Sequence, residues 1–146
     1  MDITNILYDI EPNRDNEKII SDMIDLVQKS LTDDLLRGRW KNKDDNSHHT
    51  DGHCYVAAEA LWHLLGIDKY QSYVASYIDK GGKATHWWLR NKITGEYADP
   101  TKEQYLHINE VPPYHIGKRA AFLTKLPSKR AKIVIDRVNI LRGCNE

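Results

Sequence analysis

Between Cys54 and Asp99 the spacing of apolar residues changes from a helical to a strand period, and that change limits what the chain can fold into. In CYVAAEALWHLL, residues 54–65, the apolar positions Val56, Ala57, Ala60, Leu61, Leu64 and Leu65 recur at helical spacing. Gly66 follows as a stop. QSYVASYI, residues 71–78, is rich in Tyr, Val and Ile and reads as a strand. Gly81-Gly82 marks a turn, residues 84–91 a second strand, Lys92 to Gly95 another turn, and Glu96 to Asp99 a third strand. One helix followed by a small antiparallel sheet is therefore expected.

The flanks extend this pattern. From about Asp15 to Ser30, Ile19, Ile20, Met23, Ile24 and Val27 predict a helix that Asn13 or Asp15 can cap. Thr32-Asp33-Asp34 predicts the start of a second, short helix that ends at Gly38. Residues 41–53 are polar and aperiodic, a long loop of the kind that often carries function. Residues 101–117, with Pro112-Pro113, read as irregular apart from one helical turn after Thr101. Ser128 is the expected cap of a last helix, SKRAKIVIDRVNILR, with Ile133, Val134, Val138 and Leu141 as its buried face and Gly143 as its end. The fold class is α+β: N-terminal helices, a small antiparallel sheet, a C-terminal packing helix. A chain of 146 residues without a Gly/Ser or Pro-rich linker or a repeat reads as a single domain, 1–146.

Composition narrows the function classes. A formal net charge of zero gives no global field that would steer the chain to nucleic acid or a membrane. No run of about 18 apolar residues exists, so no membrane span is expected. MDITNILYDIEPNRDNE lacks the basic-then-apolar pattern of a signal peptide, so the expected location is the cytoplasm (host cytoplasm if phage-encoded), where Cys54 and Cys144 would stay reduced. There is no GxGxxG or phosphate-loop spacing, and no nucleotide cofactor is expected. His48, His49, His53 and Cys54, with Asp44, Asp45 and Asp51, lack standard zinc spacing, and no metal is expected. The C-terminal third is basic, with Lys118, Arg119, Lys125, Lys129, Arg130, Lys132, Arg137 and Arg142. Its plain reading is a solvated face that pairs with acidic residues of the first helices; no known nucleic-acid motif accompanies it.

A Cys, a His and an Asp arrive in order along this frame. Cys54 lies where a loop becomes a helix, so free backbone amides and the helix dipole favour negative charge on its sulfur. His86 lies in the strand-like run THWWLRN and shares a face with Trp88 and Arg90, while Trp87 and Leu89 face the other way, into the core. Asp99 lies across a turn, where strand pairing sets positions 99 to 101 opposite or diagonal to 86. Each has a plain reading alone: a small buried thiol, a backbone-bonded imidazole, a turn-capping carboxylate. Together they match what thiol chemistry needs, with Cys54 as nucleophile, His86 as base then acid, and Asp99 as the group that orients the imidazole.

Cys54, His86-Trp87-Trp88 and Asp99-Pro100-Thr101 resemble the papain-like cysteine superfamily, in particular its transglutaminase-like branch. A narrower likeness is to the YunG-like proteins of bacteria and phages, through Trp40, Gly52-His53-Cys54, His86-Trp87-Trp88-Leu89 and Asp99-Pro100-Thr101-Lys102-Glu103-Gln104-Tyr105. Those proteins usually carry Gln before the Cys, where this chain has His53. The resemblance implies a papain-like core and a Cys-His-Asp triad; it brings no substrate. The expected function is that of a cysteine hydrolase or acyltransferase, protease-like or transglutaminase-like, acting on an amide, isopeptide or thioester bond of a protein, peptide or small acyl substrate. His53 and Gln104 are expected oxyanion helpers. The alternative is a non-catalytic binding module of the same fold, with Trp87, Trp88 and Tyr97 as an aromatic cleft; nucleic-acid binding by the basic C-terminal part is a third reading.

Overall fold

The computed structural model describes residues 14–37, 40–41, 50–79 and 82–143. Asn13, Gly38, the His48-His49 stretch with Asp44 and Asp45, Gly81 and Cys144 lie outside the described residues. The order of elements is α1 (Arg14–Lys29), a 3-10 turn (Asp33–Leu35), α2 (Cys54–Leu65), β1 (Tyr70–Asp79), β2 (Gly82–Asn91), β3 (Tyr97–Ala98), α3 (Glu103–Leu106), a second 3-10 turn (Tyr114–Ile116), β4 (Lys118–Arg119) and α4 (Lys129–Gly143). The protein is thus α+β, with helices before and after a small antiparallel sheet.

Helix α2 is the hub. It packs against α1, α4, β1 and β2. Ala57, Ala58 and Ala60 are wholly buried, and their small side chains let neighbouring backbones approach closely. From α1, Met23 and Val27 enter the core, followed by Leu31 and Leu35. One polar residue interrupts the apolar surface of α2. Buried Glu59 accepts bonds from the Ser128 amide (2.8 Å) and hydroxyl (2.7 Å). Ser128 Oγ in turn accepts from Ala131 N at 3.2 Å, so the start of α4 is capped and joined to α2 through one side chain.

The strands run in the order β3-β2-β1-β4. In the β1–β2 register Ala75 lies opposite His86 and Val74 opposite Trp87. The expected alternation holds: Trp87 lies on the α2 side, 4.9 Å from Tyr55 and 5.3 Å from Phe122 between ring centroids. The other face is also covered. There His86 and Trp88 lie beneath Tyr105 and Tyr114, delivered by the chain that returns after β3.

Several expectations are corrected. The element after Thr32 is a single 3-10 turn rather than an α-helix. The third strand shrinks to Tyr97–Ala98, and β4, a two-residue polar strand without periodic signal, was not anticipated. It is held to β1 at Tyr73 and Val74 and extended by Ala120 N donating to Ser72 O at 3.1 Å. In α4 the buried face is Ala131, Val134 and Val138, while Ile133 is 39% exposed. The small Ala131 lets α4 sit close to its neighbours, which rotates the contact line away from Ile133. His63 is half-buried beside Trp62. Two arginines of the basic helix turn back on the first helical segments: Arg137 pairs with Asp34 (3.3 Å) and donates to Ser30 O (3.0 Å), and Arg130 donates to Leu35 O (2.7 Å). Among the described residues, no helix is long and apolar enough to cross a membrane.

Candidate functional site

Cys54 is the first residue of α2, and His53 is its N-cap. Gly52 makes this start possible. Its φ is +82°, and a Cβ there would lie 2.6 Å from Trp40 Cβ, so only glycine fits the turn that delivers Cys54. The thiol is free and half-buried. Its Sγ donates to the Thr85 carbonyl at 3.4 Å, which seats it beside β2 at the residue before His86. The first-turn amides of α2 have no intrahelical acceptor and lie next to the sulfur.

His86 is fully buried, and its Nε2 lies 2.7 Å from Asp99 Oδ2. The pairing of Leu89 with Ala98 and Arg90 with Tyr97, continued by one residue, sets Asp99 opposite Trp88 and diagonal to His86 on the same face. Asp99 is itself held on both oxygens. Oδ1 accepts from Thr101 N at 3.1 Å, and Oδ2 accepts from the Tyr114 hydroxyl at 2.8 Å. Burial raises the Tyr114 phenol well above its ordinary range and the Asp99 charge adds to this, so Tyr114 stays protonated and donates.

A carboxylate only accepts, so Nε2 of His86 is the protonated ring nitrogen and Nδ1 is left for other partners. The Gln104 amide nitrogen lies 2.9 Å from Nδ1, and the Cys54 thiol is near enough to the ring to act on its pKa. Burial by itself lowers the affinity of the ring for a proton. The bonds to Asp99 and Cys54 more than offset this and lift the His86 pKa from 6.5 to about 9. The ring therefore carries its extra proton at neutral pH, with the Asp99 carboxylate accepting at Nε2. Its plane is fixed by Trp88, stacked at 5.6 Å, and by Tyr105, edge-on at 4.8 Å.

The structure thus brings Cys54, His86, Asp99 and Gln104 into one cluster. His53 is adjacent and wholly buried. The expected aromatic cleft is not one: Trp87 is packed among core aromatics, and Trp88 is 1% exposed beneath Tyr73, Tyr97 and Tyr114. Residues 101–119 fold over the face that strand alternation alone would leave open. Only Tyr97 of that trio is exposed. Sequence reasoning missed Tyr114, because nothing local shows that a segment fifteen residues past Asp99 returns to it. It also missed Tyr105 as a wall of the site, although the Asp-Pro-Thr-x-x-Gln-Tyr run contains it. Among the described residues, no group of three or more His, Cys, Asp or Glu side chains is placed to hold a metal. No family model, curated protein or solved structure matches this chain.

Proposed function

We propose that this protein is a cysteine hydrolase or acyltransferase with a papain-like, transglutaminase-like core, acting on an amide, isopeptide or thioester bond. The observation that carries the reading is the buried Asp99–His86 pair at 2.7 Å, beside a helix-start thiol that bonds to the carbonyl of Thr85, the residue before His86. Cys54 acts as the thiolate beside the protonated His86 ring and attacks the acyl carbon. Helix-start amides, with Gln104 and His53 nearby, are the candidate donors to the oxyanion. The imidazolium then gives its Nδ1 proton to the leaving group, and an acyl-Cys54 thioester forms. In the second half His86 takes a proton from water or another acceptor, which attacks the thioester and releases the acid or transferred product. Hydrolysis is favoured over transfer because water is always available as acceptor. Protein, peptide and small acyl substrates all fit this chemistry.

Alkylation of Cys54 with iodoacetamide, followed by mass spectrometry from pH 5 to 9, tests the reading. Cys54 should react well below pH 7, and His86→Ala should abolish that low-pH reactivity. An inert Cys54, or a profile unchanged in His86→Ala, rejects it. The second reading, a binding module that retains the constellation as structure, is favoured by the complete burial of His86. It predicts the inert outcome.

A further inference from the structure

A second concave site lies at the other end of the same sheet face. Arg90 is four residues from His86 along β2, about 13 Å at a rise of ~3.3 Å per residue. Register places Gln71 opposite Arg90, and Tyr73 between Trp88 and Arg119. Arg90, Arg119 and Tyr73 thus come from three adjacent strands and point to one side. The turn after β2 closes the site with Asn91, Lys92 and Thr94, around an open groove of about 680 Å³.

We propose that this groove is a binding site for a small ligand carrying a phosphate group. Three cations and no carboxylate line it. Among the described residues, neither Arg90 nor Arg119 makes an ion pair with an acid. Arg90 is held in place, with its Nε donating to Gly95 O at 3.0 Å and its guanidinium over the Tyr97 ring at 5.6 Å. A guanidinium so fixed loses little freedom when it binds an anion. The Tyr73 hydroxyl sits against both arginines, and their hydrogen bonds and charge lower its pKa below the ordinary 10, as expected where local positive potential is uncompensated.

The layout favours a compact ligand over a nucleic-acid strand. The cations converge on one concavity of the size usual for small-molecule sites, whereas a strand needs charges along a track. The arginines that could extend such a track are committed elsewhere: Arg130 to Leu35 O, and Arg137 to Ser30 O and Asp34. The forks of two arginines with a lysine lining the same groove match a tetrahedral dianion better than a singly charged carboxylate.

The site is independent of the thiol chemistry, so the 146-residue chain carrying Cys54→Ala serves for the test. Calorimetric titration with inorganic phosphate, methyl phosphate, acetate and a single-stranded oligonucleotide separates the ligand classes. Both phosphates should bind saturably, and acetate at least roughly tenfold more weakly. Arg90→Gln and Arg119→Gln, both at exposed positions, should each weaken phosphate by roughly tenfold or more. Bound phosphate should also return the Tyr73 phenol toward its ordinary titration, followed by ultraviolet absorbance with Tyr73→Phe as the reference. No saturable phosphate binding, equal affinity for acetate, binding of the oligonucleotide alone, or full affinity in folded Arg90→Gln and Arg119→Gln would each overturn the proposal.

Discussion

At the scale of single residues, the proton on His86 ties stability to chemistry. Its folded pKa of about 9 lies above the 6.5 of the free ring. The stabilisation is therefore complete below about pH 6.5 and is lost as pH rises toward 9. The full shift corresponds to on the order of 3 kcal/mol, an upper bound for a coupled pair. Urea midpoints should accordingly fall between pH 6 and pH 9.5, and the fall should shrink in His86→Gln. Asp99→Asn removes the main support of the proton while burial, which opposes it, remains. The imidazole should then titrate below 6.5, read by NMR of the ring nitrogens. Turning the Gln104 amide over would present its oxygen to a protonated Nδ1 and its NH₂ to a neutral one, so this residue can serve both states of the ring. Gln104→Leu should slow alkylation of Cys54 while leaving the Asp99–His86 pair intact, which NMR of the same nitrogens would confirm.

At the scale of elements, the best-read parts of the chain are those whose periodicity is strong and local. Helix α2 begins and ends where the CYVAAEALWHLL pattern places it, because its apolar spacing, its first residue and Gly66 agree. Cys54, His86 and Asp99 were legible for the same reason: one lies at a helix start, one on an alternating strand, one a residue beyond a paired strand. What was not legible depends on contacts distant in sequence. The Glu59–Ser128 link spans sixty-nine residues and gives no local sign. It explains why an acid is tolerated at 1% exposure in the central helix. Glu59→Ala should cost on the order of 2–4 kcal/mol in urea unfolding, because it opens a cavity and leaves the Ser128 amide without its acceptor. Glu59→Gln keeps one acceptor oxygen and the volume, and should cost less. If both variants match the wild type, α4 is not held by this link.

At the scale of the whole molecule, the sheet is buried between two unequal layers. One is the helical core of α1, α2 and α4. The other is the returning chain of residues 101–119, a thin cover that ends in β4 and leaves Leu106, Ile108 and Val111 exposed. This cover supplies Tyr105 against His86, Gln104 against Nδ1 and Tyr114 against Asp99. It also brings Gly117 so close to Trp88 that an added Cβ would lie 2.4 Å from the indole. The indole is locked between β2 and this glycine and cannot move aside without lifting the cover. Gly117→Ala should therefore displace the cover rather than the strand, since β2 is held by long pairing with β1 and the cover by a few bonds. The expected signs are a red-shifted tryptophan emission and faster amide exchange over 101–119, with exchange in α2 and β1 unchanged. Because Tyr114 would leave Asp99, the titration of His86 should shift with them. A variant whose exchange rises across α2 as well would mean that both layers form one cooperative unit, with no separable cover over the imidazole.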